Sequence, residues 1–133
     1  MRIEIPHRLL TTRAPTDADT PWLSGRATRW MVAAEWSVIV DGRRFDVPAG
    51  YIFNGSSIPW FIWWAFPPTY APAWEASCIH DWHYSHLYRS VSKRYADAVF
   101  RSVMLTKGAA PWIARLFHAA VSRFGRGGWI YQR

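Results

Sequence analysis

The stretch WSVIVDGRRFDV, residues 36–47, decides how the first half of the chain folds. Asp41-Gly42 stands between two apolar-rich runs, RWMVAAEWSVIV (29–40) and RRFDVPAGYIF (43–53). A two-residue Asp-Gly link supplies the backbone that a tight β-hairpin needs, so these runs are expected to pair. Upstream, RIEIP (2–6) alternates like a further strand, and PTDADTP (15–21) reads as a polar loop. Downstream, Pro48 cannot donate to a sheet ladder. The second hairpin strand is therefore predicted at an edge, or ending in a bulge near Pro48-Ala49-Gly50.

After Asn54 the pattern becomes helical. IPWFIWW (58–64) reads as one short turn or helix stopped by Pro67-Pro68, and three helices are predicted at 71–88, 92–106 and 110–124. Pro72 and Pro111 suit first-turn positions, Ser92 suits an N-cap, and Gly108 and Gly125 suit C-terminal stops. The expected fold class is α+β, with an N-terminal hairpin or small antiparallel sheet followed by about three helices. Length sets one domain, divided into a mainly β part (1–53), a loop with a short aromatic helix (54–70), a helical part (71–126) and a tail (127–133).

Of the 133 residues, 50% are hydrophobic and 17% aromatic, with ten Trp, which points to a packed globule rather than disorder. The single Cys78 rules out an intramolecular disulfide framework. The N-terminus lacks a continuous apolar run of signal-peptide length, so export by that route is not expected. IPWFIWWAFPP (58–68) falls short of the roughly 20 residues needed to span a bilayer. The net charge of +7 is mostly arginine, with Lys93 and Lys107 the two lysines. Such a surface attracts nucleic acid, anionic lipid or an acidic protein partner. No zinc-finger spacing, RNA-recognition aromatic motif or phosphate-binding glycine loop supports the first of these.

Two helical stretches carry the chemistry. CIHDWHY (78–84) places His80 and Tyr84 four residues apart on one face, and RYADAVF (94–100) brings Asp97. A reversal near Tyr88-Arg89 puts positions 80 and 97 at one level of an antiparallel helix pair. Asp97 could then accept from one imidazole nitrogen, fixing the tautomer and leaving the other as a base, while Tyr84 donates to Asp97. The same geometry equally describes a buried polar clasp between helices.

HDWHY resembles the His-Asp-x-x-Tyr helix motif of phospholipase A2. That resemblance implies His80 as general base, Asp81 as a calcium ligand, and Asp97, supported by Tyr84, as the carboxylate that orients the base. FNGSSIP (53–59) is the nearest candidate for a calcium loop, offering the Asn54 side chain and loop carbonyls, and it also reads as a turn leading into a Ser-capped helix. Over a longer span, VPAGYIFNGSSIPW, ASCIHDWHY, SKRYADAVF and AAVSRFG, in that order, resemble a family of small phage and prophage proteins of unknown function. This implies a phage or prophage origin, with the protein in the host cytoplasm or the virion and phage structural proteins as partners; the basic charge offers an anionic lipid surface as the alternative partner.

Other constellations compete. His80, His83 and His86 sweep around a helix rather than converging, so a zinc site would need His80, His83 and a further ligand such as Asp97. His83 and His86 are otherwise expected at the surface or in a subunit contact. Trp60, Trp63 and Trp64 read as core, as an assembly contact (a homo-oligomer included) or as lipid-docking residues. Ser56 and Ser57 lie outside a nucleophile-elbow motif and read as cap or turn residues. Cys78 reads as a small buried apolar group. Two functions follow: a phospholipase A2-like ester hydrolase with a His80–Asp97–Tyr84 site and a cation at Asp81 and Asn54, or a non-enzymatic virion or assembly protein using the cluster as a clasp.

Overall fold

The computed structural model describes residues 1–14, 30–53 and 71–124. The chain divides into two compact units, Met1–Asn54 and Gly55–Arg133. Among the described residues, strands occupy the first and three helices the second, giving the α+β arrangement that the sequence predicts.

The described residues of the first unit form six short strands: β1 (Ile3–Glu4), β2 (Thr11–Arg13), β3 (Trp30–Val32), β4 (Trp36–Val40), β5 (Arg43–Val47) and β6 (Ile52–Phe53). They form two antiparallel sheets of three strands, ordered β1-β4-β5 and β2-β3-β6. The β4–β5 hairpin turns at Asp41 (φ 49°) and Gly42 (φ 85°). Two successive left-handed residues match the right-handed twist of the flanking strands. Asp41 also ties in β1, because its carboxylate accepts from Arg2 N–H at 2.6 Å and its own N–H donates to Arg2 C=O at 2.8 Å.

Period-2 alternation decides which face is buried. Trp36 pairs with Val47 and Val38 with Phe45, and all four side chains are buried. On the other face Ser37 pairs with Asp46, whose carboxylate accepts from Ser37 Oγ at 2.5 Å and Arg44 Nε at 2.7 Å.

The runs 29–40 and 43–53 are not single strands. Residues 33–35 separate β3 from β4, residues 48–51 separate β5 from β6, and at each break the chain passes to the other sheet. The second break has a plain cause: Pro48 cannot donate, and Gly50 takes φ 91°. The two breaks are stitched together by Val32 N–H to Tyr51 C=O and Gly50 N–H to Val32 C=O, both at 2.8 Å. β5 is an edge strand that stops at Val47, as Pro48 predicts.

The second unit holds α1 (Ala71–His86), α2 (Lys93–Thr106) and α3 (Pro111–Phe124), with α2 packed against both neighbours. Ser92 caps α2 by accepting from Tyr95 N–H at 3.0 Å. At the other end Gly108 (φ 97°) donates to Leu105 C=O at 3.1 Å and Ala109 donates to Met104 C=O at 3.0 Å. Those paired bonds define a Schellman stop, which needs a left-handed residue at position 108. Pro111 occupies the first position of α3, where a missing N–H costs no helical bond.

The helices bury different amounts of themselves. α2 presents Ala96, Asp97, Val99, Phe100, Val103 and Met104 as one buried stripe. α1 is buried around most of its girth, from Ala73 through Tyr84, with Pro72, Trp74 and Trp82 less covered. It carries five buried polar side chains, Glu75, Ser77, His80, Asp81 and His83. Each of these has to be accommodated inside the unit, and the accommodation of His80 produces the site.

Candidate functional site

His80 lies on α1 and Asp97 on α2, seventeen positions apart, and antiparallel packing brings them to one level. His80 Nε2 is 2.8 Å from Asp97 Oδ1, with the side chains 1% and 3% exposed. A carboxylate accepts, so Nε2 carries the proton and donates. In the neutral ring Nδ1 is then an unprotonated acceptor. It is buried and has no hydrogen-bond partner among the described residues. Around the ring lie Tyr84 at a centroid distance of 4.0 Å and Phe100 at 5.0 Å.

Tyr84, one turn along α1 from His80, donates its hydroxyl to the same Asp97 Oδ1. Burial, the bond to Asp97 and the neighbouring negative charges push the phenol far above its ordinary range, so Tyr84 stays protonated and acts as a donor. Burial alone would raise the Asp97 carboxyl. The bonds from His80, Lys93 and Tyr84 outweigh it and hold Asp97 below the usual carboxylate value.

The second oxygen of Asp97 belongs to Lys93. Its Nζ is 2.8 Å from Asp97 Oδ2 and also donates to the carbonyls of Val121 (3.1 Å) and Ser122 (3.0 Å). All three ammonium protons are used. Those carbonyls lie in the last turn of α3, where helical C=O groups lack intrahelical donors and the helix dipole is negative. One lysine thus joins the carboxylate on α2 to the end of α3. Lys93 is absent from the site that the spacing predicts. Its signal was the i, i+4 spacing to Asp97 within KRYAD.

The structure therefore brings His80, Tyr84 and Asp97 together as the spacing predicts, and adds Lys93. Asp81 follows His80 on α1 and is buried, at 6% exposure. Asn54, Ser56, Ser57, Trp60, Trp63, Trp64 and the tail 127–133 lie outside the described residues. Among the described residues no group of three or more His, Cys, Asp or Glu side chains is placed to hold a metal ion. That applies to the zinc set of His80, His83 and Asp97.

Four further residues of α1 complete the description. His83 is fully buried, with its ring 6.1 Å from that of Tyr95, which corrects the expectation of a surface residue. The correction follows from the depth of α1, which covers Asp81, His83 and Tyr84 while Trp82, Ser85 and His86 keep some solvent contact. His86 is exposed and stacks on Trp82 at 4.6 Å. Cys78 is buried, and burial with the charges of Asp81 and Glu75 pushes its thiol well up, so it is a neutral packing group. On the same helix Glu75 meets Lys107 at 3.0 Å.

What this arrangement defines, among the described residues, is three helices gathered at one buried carboxylate on α2, with an imidazole and a phenol from α1 and an ammonium from α2 around it. Residues 30–121, about two thirds of the chain, match the family described as proteins of unknown function, DUF1353, and the chain belongs to that family. No curated protein and no solved structure matches it.

Proposed function

We propose that the His80–Asp97 pair is the base and orienter of a hydrolase, acting on an ester in the manner of phospholipase A2. The observation that carries the reading is the unequal use of the imidazole. Nε2 is committed to Asp97, while Nδ1 is a buried acceptor with no described partner. Leaving such an acceptor unmet costs about 1–3 kcal/mol, an odd feature for a group whose task is only to hold helices together.

In the proposed reaction a water molecule hydrogen-bonded to Nδ1 attacks the ester carbonyl as its proton passes to that nitrogen. The imidazolium keeps its Nε2–H bond to Asp97, then returns the proton to the departing alkoxide, giving a carboxylic acid and an alcohol. Tyr84 and Lys93 position Asp97. Calcium enters the proposal through Asp81, with Asn54 as the second suggested ligand, and none of these steps is routed through it.

The test is hydrolysis of short-chain phospholipids and simple esters by the purified chain, with added calcium or with chelator, for wild type and His80→Asn. Turnover falling about 10²-fold or more in a folded His80→Asn variant is expected. Absence of turnover in the wild type, or equal rates in the two, would discard the reading.

A specific observation also favours a second reading. Lys93 Nζ sits 2.8 Å from Asp97 Oδ2 and offsets part of that carboxylate's charge. At the same time it joins the Asp97 carboxylate, which takes His80 and Tyr84 from α1, to the end of α3. On that reading the cluster is a clasp in a non-enzymatic phage virion or assembly protein. Oligomers on a sizing column, or co-purification with particles, lost in Trp63→Ala or Trp64→Ala, would identify it.

A further inference from the structure

Charge is unevenly divided along the chain. Residues 1–54 carry seven basic and six acidic side chains, whereas residues 55–133 carry nine basic and three acidic. The three acids of the second stretch, Glu75, Asp81 and Asp97, are only 6%, 6% and 2% exposed. Two of them are bonded to lysines. The described surface of the helical unit consequently has no exposed carboxylate, while Arg89, Arg94, Arg115 and Arg123 are exposed.

Two of these arginines lie among apolar groups on α3. At 3.6 residues per turn, Trp112, Arg115, Leu116, Ala119 and Arg123 fall on one stripe of the helix. All five are exposed, Trp112 by 63% and Leu116 by 39%. The opposite stripe, Ala114, Phe117, Ala120 and Val121, is buried. α3 therefore has one apolar face packed inside its unit and a second turned outward with guanidinium groups among it.

We propose that this outer face of α3 docks the chain onto an anionic membrane surface. The helix would lie in the plane of the headgroups. Trp112 and Leu116 would enter the boundary with the acyl chains, and Arg115 and Arg123 would reach lipid phosphates. Charge complementarity selects an anionic partner, and the apolar pair selects lipid among anionic partners. A nucleic-acid backbone would use the arginines but gives an exposed Leu one turn from an exposed Trp nothing to bury against. No helix among the described residues is long and apolar enough to cross a membrane. The inference is independent of what His80 does, since vesicle binding requires no turnover.

Co-sedimentation tests it, using vesicles of phosphatidylcholine alone and of phosphatidylcholine with phosphatidylglycerol. Wild type should pellet with the anionic vesicles, release on raising salt, and stay largely in the supernatant with the zwitterionic ones. Arg115→Glu with Arg123→Glu should weaken binding by roughly 30-fold or more, at about fivefold for each charge near the surface. Trp112→Ala with Leu116→Ala should weaken it by at least about tenfold. All four positions are exposed, and circular dichroism checks that each variant stays folded. The proposal is overturned if wild type ignores anionic vesicles, if it binds both vesicle types equally, or if neither double variant loses binding. It is also overturned if binding to a DNA duplex is tighter than to vesicles and indifferent to Trp112.

Discussion

Lys93 Nζ stands 2.8 Å from Asp97 Oδ2 and within 3.1 Å of two carbonyls at the end of α3, while the other oxygen of Asp97 takes His80 and Tyr84 from α1. Asp97 is thus the meeting point of three helices. Its removal strands three donors at once, the lysine among them. Asp97→Ala is expected to cost about 3–5 kcal/mol, the range for breaking one side of a buried charge pair. Asp97→Asn keeps the shape and should cost less. Urea unfolding midpoints measured at neutral pH check both.

The acid dependence of stability follows from the lowered Asp97 carboxyl. A group whose pKa is lower in the folded state binds fewer protons there than in the unfolded chain. Its contribution is therefore complete above the unfolded value, about 3.9 for an aspartate, and disappears as pH falls through the lower folded value. Wild type should lose this increment below about pH 4. Asp97→Asn should show a flatter slope over the same window, read from urea unfolding at a series of pH values.

Lys93→Met removes both the partner of Asp97 and the donor to the Val121 and Ser122 carbonyls. Because the lysine is partly exposed, its loss should cost about 1–2 kcal/mol, less than the loss of Asp97. Hydrogen exchange distinguishes this account from simple charge removal: amides in the last turn of α3 should lose more protection than those at its start.

Tyr84→Phe deletes one donor to a charged acceptor while preserving the ring that lies on His80. A loss of about 1.5–3 kcal/mol is expected. Combined with Asp97→Ala, the two effects should sum to much more than the double variant loses, because both act on one carboxylate.

Gly108→Ala separates conformational from steric cost. An added Cβ would meet nothing within 4 Å, yet the backbone stands at φ 97°. A loss of about 1–2 kcal/mol is expected from conformation alone. An unchanged thermal midpoint would contradict the Schellman geometry at the end of α2.

How much of this was legible beforehand varies by element. Asp41-Gly42, Ser92, Gly108 and Pro111 act through their own backbone chemistry, and each is found doing what its type requires. The breaks at 33–35 and 48–51 were only half visible. Pro48 marks one, while Ala33-Ala34-Glu35 carries no turn residue, and the switch between sheets depends on pairing with strands far along the chain. His83 was misplaced for a related reason. Its exposure depends on how deeply α1 sits, and a helix covered on most sides leaves no periodic trace of which positions face solvent.

For the site, spacing sufficed to align His80, Tyr84 and Asp97, because antiparallel helices of regular rise turn a sequence midpoint into a shared level. Only the tertiary structure could bring in Lys93 as the link to α3. Its partners at 121 and 122 lie 28 and 29 residues away, and are backbone carbonyls that any residue type would supply. The sequence by itself determined the elements, their caps and turns, and the candidate chemistry on two helices, because local backbone preference and periodicity are written residue by residue. The third helix's place in that cluster, and the outward turn of the Trp112 and Leu116 face, were decided by packing alone, because burial belongs to the assembled unit rather than to any segment of it.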